Sequence, residues 1–113
     1  MPTSTQAVID HHLQAFSEGV DALMDDFTDE SVVMTRDATY RGLAEIRRFY
    51  TDLIDGLPEG FEEAEETTRS EIDGEIAFLL WHARPWYLFC SDTFVIRDGK
   101  ITHQTFAAHT APQ

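Results

Sequence analysis

Lysine occurs once in these 113 residues, at Lys100, and all basic side chains together number eight against 21 acidic ones, a formal charge of −13. So few cations argue against nucleic acid as a partner, because phosphate binding needs clustered lysine and arginine. They argue equally against an anionic membrane surface. Cysteine also occurs once, at Cys90. No disulfide can close within the chain, which agrees with a reducing compartment. No apolar run approaches the roughly 20 residues that a bilayer demands. The opening Met1-Pro2-Thr3-Ser4-Thr5 lacks the basic start and apolar stretch of a secretion signal. A cytoplasmic protein is expected. A glycine-rich phosphate loop is missing, so no nucleotide or other cofactor is expected. The five histidines and Cys90 show no metal-ligand spacing, and no metal site is expected. His103 and His109 share strand parity but stand about 20 Å apart at strand rise, too far for one ion.

What is present reads as one domain over residues 1–113, with 42% hydrophobic residues and room for one modest core. Ile9, His12, Leu13 and Phe16 recur at helical spacing, with Thr3 to Thr5 as an N-cap and Gly19 as a stop. Val20, Leu23, Met24 and Phe27 predict a second short helix, and Leu43, Ile46, Phe49, Tyr50, Leu53 and Ile54 a third that ends at Gly56 and Pro58. Between them, Ser31 to Thr35 is a short β-branched strand, and residues 36–42 form a turn with a brief extended piece. From Phe61 the period changes to two. Strands are expected at 61–72, 75–84, 86–97 and 100–109, with turns at Asp73-Gly74, Pro85 and Asp98-Gly99. The register around Pro85 is open, and with it the direction in which Trp81 and His82 face.

Alternation in the third of these strands puts Trp86, Leu88, Cys90, Asp92, Phe94 and Ile96 on one face and Tyr87, Phe89, Ser91, Thr93, Val95 and Arg97 on the other. Ile76, Phe78 and Leu80 likewise alternate with Ala77, Leu79 and Trp81. Both faces are substantially apolar, whereas a solvated antiparallel sheet is polar on one side. Helices cover one face. The other is expected to pair in a symmetric homodimer.

The run Phe27-Thr-Asp-Glu-Ser-Val-Val-Met-Thr, then Tyr40-Arg-Gly-Leu-Ala-Glu-Ile-Arg-Arg-Phe-Tyr, and later Ser91-Asp-Thr-Phe-Val-Ile-Arg-Asp-Gly-Lys-Ile, resembles the nuclear transport factor two-like superfamily. That superfamily includes ketosteroid isomerases, SnoaL-like cyclases, scytalone dehydratase and limonene epoxide hydrolase. The resemblance implies an α+β fold, a cone in which three N-terminal helices pack on a curved, mainly antiparallel sheet around a pocket for a small apolar molecule. It also implies that Asp92 matches the isomerase's protonated, hydrogen-bond-donating aspartic acid, with His12 at the position of its oxyanion tyrosine. The isomerase's general base falls near Thr35, with Asp37 two residues on. The cyclase's acid/base aspartate falls at Phe106, and the epoxide hydrolase's arginine at Cys90. None of the three constellations is complete.

Asp92 is the leading candidate, since a carboxylate beside Cys90 and Phe94 is expensive to bury unless it is paired, hydrogen-bonded or protonated. His12, on the apolar side of the first helix, is the candidate proton shuttle. Phe16, Tyr40, Tyr50, Trp86, Leu88, Cys90, Phe94, Gln104 and Phe106 are expected to line the pocket. The expected chemistry is cofactor-free proton transfer: isomerisation, dehydration or cyclisation. The alternative is a binding or dimerisation domain without chemistry.

Overall fold

The computed structural model describes residues 4–111. Helix α1 spans Thr5–Glu18 and α2 spans Val20–Met24, with Gly19 at φ 115° breaking the chain between them. The expected cap falls on Ser4, whose hydroxyl accepts the Ala7 N–H at 3.0 Å; Thr3 lies outside the described residues. Helix α1 buries Val8, Ile9, His12 and Ala15, while Leu13, placed on that same face by its spacing, is exposed. Strands β1 (Val32–Thr35) and β2 (Thr39–Arg41) form a short hairpin that leads into α3 (Gly42–Asp55), which buries Ile46 and Tyr50.

One element differs from expectation. Residues Phe61–Ala64 form a helical turn, α4, and the strand begins only at Glu65. Gly60 at φ 89° swings the chain inward, and Phe61 then anchors the turn in the core. Phe61 and Ala64, three apart, face inward together, which a two-residue period does not allow.

Strands β3 (Glu65–Asp73), β4 (Ile76–Ala83), β5 (Tyr87–Arg97) and β6 (Lys100–Thr110) then run as the expected meander. The sheet order is β2-β1-β6-β5-β4-β3. Every neighbouring pair is antiparallel except β1 and β6, which run parallel. Register shifts at Thr67/Arg69, Trp81/Ala83, Tyr87/Phe89 and Val95/Ile96 mark bulges that bend strands and increase local twist. The result is a curved, unclosed sheet with the helices on its concave side. Phe94, Leu23, Ile46, Ile101 and Val33 form the fully buried centre of the core. Among the described residues, no helix is long and apolar enough to cross a membrane.

The bulge near Tyr87 also resets the phase of β5. Tyr87, assigned by alternation to the face opposite Asp92, instead turns to the same cavity as Asp92.

Candidate active site

Between the concave sheet face and helices α1, α3 and α4 lies a cavity of about 390 Å³, within the range of small-molecule sites. Its walls are largely apolar: Leu13 and Phe16 come from α1, Phe49 and Leu53 from α3, Phe61 from α4, and Leu79, Phe94 and Phe106 from the sheet. Trp81 and Tyr87 add amphipathic rings, and Glu62 and Glu65 are exposed acids on the lining.

One part of the cavity wall is polar, and its groups hold one another in a chain. Asp92, 8% exposed, accepts the Trp81 indole N–H on Oδ2 at 2.8 Å and the Gln104 amide N–H on Oδ1 at 3.0 Å. The Gln104 carbonyl in turn accepts the Tyr50 hydroxyl at 2.7 Å. The Tyr50 oxygen stands 3.4 Å from His12 Nε2. The other nitrogen of His12, Nδ1, is buried without a hydrogen-bond partner and faces Asp26 Oδ2 at 3.7 Å. Asp26 is itself buried and is bound by the Nδ1 of half-exposed His11, at 2.8 and 3.0 Å from its two oxygens.

Strand register explains why these side chains meet. Asp92 pairs with Phe106 across β5–β6 and Phe94 with Gln104, so Gln104 and Asp92 are diagonal neighbours on the concave face. On the other side, Leu79 pairs with Asp92 and Trp81 with Cys90, making Trp81 the opposite diagonal neighbour. His12 is packed edge-on by Phe94, Phe27 and Tyr50 with ring centroids 5.1 to 5.9 Å away, which holds the imidazole in place.

Burial drives the Asp92 carboxyl above its ordinary value, while the N–H donors of Trp81 and Gln104, and then the His12 charge, pull it back. Burial, followed by the Asp92 charge, holds Tyr50 well above its ordinary value, so its hydroxyl remains a donor. Burial first and Asp92 second push the Cys90 thiol up to about 12, which leaves it without a thiolate to act as a nucleophile. Burial, chiefly, raises the Tyr87 hydroxyl as well.

Of the residues named from sequence, Asp92, His12, Phe16, Tyr50, Phe94, Gln104 and Phe106 line this one cavity. Tyr40, Trp86, Leu88 and Cys90 do not. Tyr40 packs against Phe49 outside the cavity, the rings tilted by 39° with centroids 4.9 Å apart. Trp86 lies in the turn before β5 and packs over the Gly60 backbone. Leu88 sits at the β5 bulge, and Cys90 is fully buried beside the site rather than on its wall. Trp81 faces the cavity, whereas His82 turns to Glu66 at 3.5 Å.

Asp26 is the functional candidate that sequence reasoning missed. It lies in an acid-rich stretch that reads as solvated surface, and only its spacing one residue before the apolar Phe27 hinted at burial. Among the described residues, no three His, Cys, Asp or Glu side chains gather as metal ligands.

No protein-family model matches the chain, and no curated protein matches its sequence. Solved structures do match its fold. An NTF-2 like protein of unknown function from Burkholderia xenovorans is 17% identical, with a TM-score of 0.75 over 96% of this chain and 85% of its own. A candidate polyketide cyclase from Sinorhizobium meliloti is 21% identical, with a TM-score of 0.69 over 88% and 92%. A candidate ketosteroid isomerase from Kribbella flavida is 15% identical, with a TM-score of 0.71 over 100% and 84%. At such identities the likeness carries architecture and no chemistry. The chain has the nuclear transport factor two-like fold, shared with ketosteroid isomerase-like and polyketide cyclase-like proteins, many of unknown function.

Proposed function

We propose that the cavity is the active site of a cofactor-free acid/base enzyme acting on a small, mostly apolar molecule that carries one carbonyl or hydroxyl group. The observation that carries this reading is the placement of Asp92: a buried carboxyl with a raised affinity for its proton, on the polar part of an otherwise apolar cavity. A carboxyl poised this way takes a proton as base when ionised and donates a hydrogen bond when protonated. Trp81 and Gln104 orient it, each occupying one oxygen while leaving a further lone pair for a ligand. His12 lines the same cavity, connected to Asp92 through Tyr50 and Gln104. Two proton-handling groups beside one apolar volume suit isomerisation, dehydration or cyclisation.

The test is a panel of apolar carbonyl and hydroxy compounds incubated with wild type, Asp92→Asn and His12→Gln. Turnover in wild type that falls at least a hundredfold in Asp92→Asn supports the reading. Equal inertness of all three proteins across a broad panel sinks it.

A second reading, a carrier without chemistry, is favoured by one feature: the Trp81 N–H, the Tyr50 O–H and one N–H of Gln104 are already committed within the protein. Native mass spectrometry of gently purified protein separates the two. A carrier retains a stoichiometric ligand, and a turnover enzyme does not.

The convex sheet face supports a homodimer. Ile76 is 46% and Phe89 56% exposed on it, beside partly buried Phe78, Leu80 and Val95. A second copy packed through this face removes that apolar surface from water.

A further inference from the structure

We propose that the cavity and a groove beside it form one channel, and that the substrate is an extended, uncharged molecule. Its carbonyl or hydroxyl head lies at Asp92, and its apolar tail passes Leu13 into the groove. The groove holds about 290 Å³ between α1 and the β3–β4 hairpin. It shares Leu13, Thr67 and Leu79 with the cavity.

Three elements run from one volume into the other in matching order. On β4, Trp81 lines the cavity, Leu79 both volumes and Ala77 the groove, a run of about 13 Å at strand rise. On α1, Phe16 lines the cavity, Leu13 both and Gln6 the groove, about 15 Å along the helix axis. On β3, Glu65 lines the cavity, Thr67 both, and Ser70 and Ile72 the groove. Odd positions give way to even ones because the register shift between Thr67 and Arg69 resets the phase of the strand. Without that shift, Ser70 and Ile72 would turn to the convex side. The pairs Thr67–Trp81, Ser70–Leu79 and Ile72–Ala77 keep β3 and β4 in step along the channel.

The lining of the groove suits a tail. Its buried members, Ile9, Ala77 and Leu79, are apolar, and Leu13 and Ile72 beside them are large apolar side chains left exposed. A chain laid between them removes that surface from water, whereas a compact ligand seated at Asp92 leaves it wet. The polar members Gln6, Asp10 and Ser70 are exposed. Among the described residues, no lysine or arginine lines either volume, while carboxylates line both, so a negative charge on the ligand is repelled at either end. The inference rests on the acid/base reading for the head group and adds the length and charge of the substrate.

The test is binding, without turnover, of a homologous series of straight-chain methyl ketones, followed by calorimetry and by NMR of 13C-labelled methyl groups. Short members are expected to leave the Ile72 and Ala77 methyl signals in place, and long members to shift them. Through the length at which those signals first move, affinity continues to rise about fourfold per methylene, as for a chain still leaving water. Ser70→Phe fills the groove from an exposed strand position. It is expected to lower the long-to-short affinity ratio about tenfold or more, the worth of roughly two methylenes. Leu13→Phe narrows the passage from α1 and is expected to do the same. Straight-chain carboxylates of matching length are expected to bind more weakly than the ketones. Ile72 and Ala77 signals that never move, or a ratio that survives in both folded variants, overturn the channel. Carboxylates that bind as tightly overturn the uncharged ligand, and absence of binding by every member overturns the proposal as a whole. Turnover of compact compounds by wild type, lost in Asp92→Asn, is a separate measurement and shows whether the acid/base reading outlives it.

Discussion

Trp81 on β4 donates its indole N–H to Asp92 Oδ2 on β5 at 2.8 Å, although neither residue is directly opposite the other. A diagonal cross-strand contact of this kind needs a long side chain and a defined register. It turns an aromatic residue into part of the polar machinery while its ring remains in the cavity wall, stacked with Phe106 at 6.3 Å.

Asp92→Asn is expected to fold, and Asp92→Ala to be weaker by about 1–3 kcal/mol for each donor left buried without a partner. The pH dependence follows from the raised carboxyl. Its stabilising contribution is complete below the ordinary aspartate value, 3.8, and is lost as pH rises through the raised one. Wild type therefore weakens relative to Asp92→Asn as pH climbs through that interval. Urea midpoints of the two proteins at stepped pH measure it, and a constant gap between them contradicts it.

Ligand entry is expected to change the fluorescence of Trp81, the tryptophan on the cavity wall, while Trp86 lies off it. Trp81→Phe removes both that signal and one donor to Asp92, so the carboxyl rises further. A ligand response that persists unchanged in Trp81→Phe places the binding elsewhere.

His11 is raised above 6.5, first by its hydrogen bond to Asp26 and then by the Asp26 charge. Its contribution is full below 6.5 and fades as pH rises through the raised value. The stability gap between wild type and His11→Ala is expected to be largest in mild acid and to close in alkali. The gap is small, because the side chain is 46% exposed and solvent screens the pair. Thermal melts across pH 5 to 9 test this; a gap that widens toward high pH refutes it.

Gly42 opens α3, which carries Phe49 and Tyr50 to the cavity, and it does so at φ 83°. A Cβ there meets the Asp29 carbonyl oxygen at 3.1 Å. Gly42→Ala is expected to cost about 1–2 kcal/mol from the left-handed backbone alone. An unchanged urea midpoint shows the prediction to be wrong.

Phe89→Glu places a charge on the convex sheet face without touching the cavity. If that face joins two copies, light scattering is expected to show a dimer in wild type and a monomer in the variant. A monomeric wild type ends the proposal.

Much of the architecture was legible because side-chain period reports directly on local structure. The stripe Ile46, Phe49, Tyr50, Leu53 fits a helix, and the alternation from Cys90 to Ile96 fits a strand with one face buried. The misreadings have local causes. Phe61–Ala64 was read with the period of the strand after it, yet Gly60 and the buried Phe61 close a helical turn. Tyr87 turns to the cavity against its alternation because a bulge in β5 inverts the phase ahead of Phe89.

The sequence by itself determined the α+β order, the single core and the cost of burying Asp92, since composition, period and the chemistry of a carboxylate are properties of the chain alone. Tertiary structure alone decided which partners answer that cost. Trp81, Gln104 and Tyr50 reach Asp92 or its chain from three separate elements. Those meetings depend on register, bulges and sheet curvature, which place residues far apart in sequence within hydrogen-bonding reach, and no local pattern encodes a distance between elements.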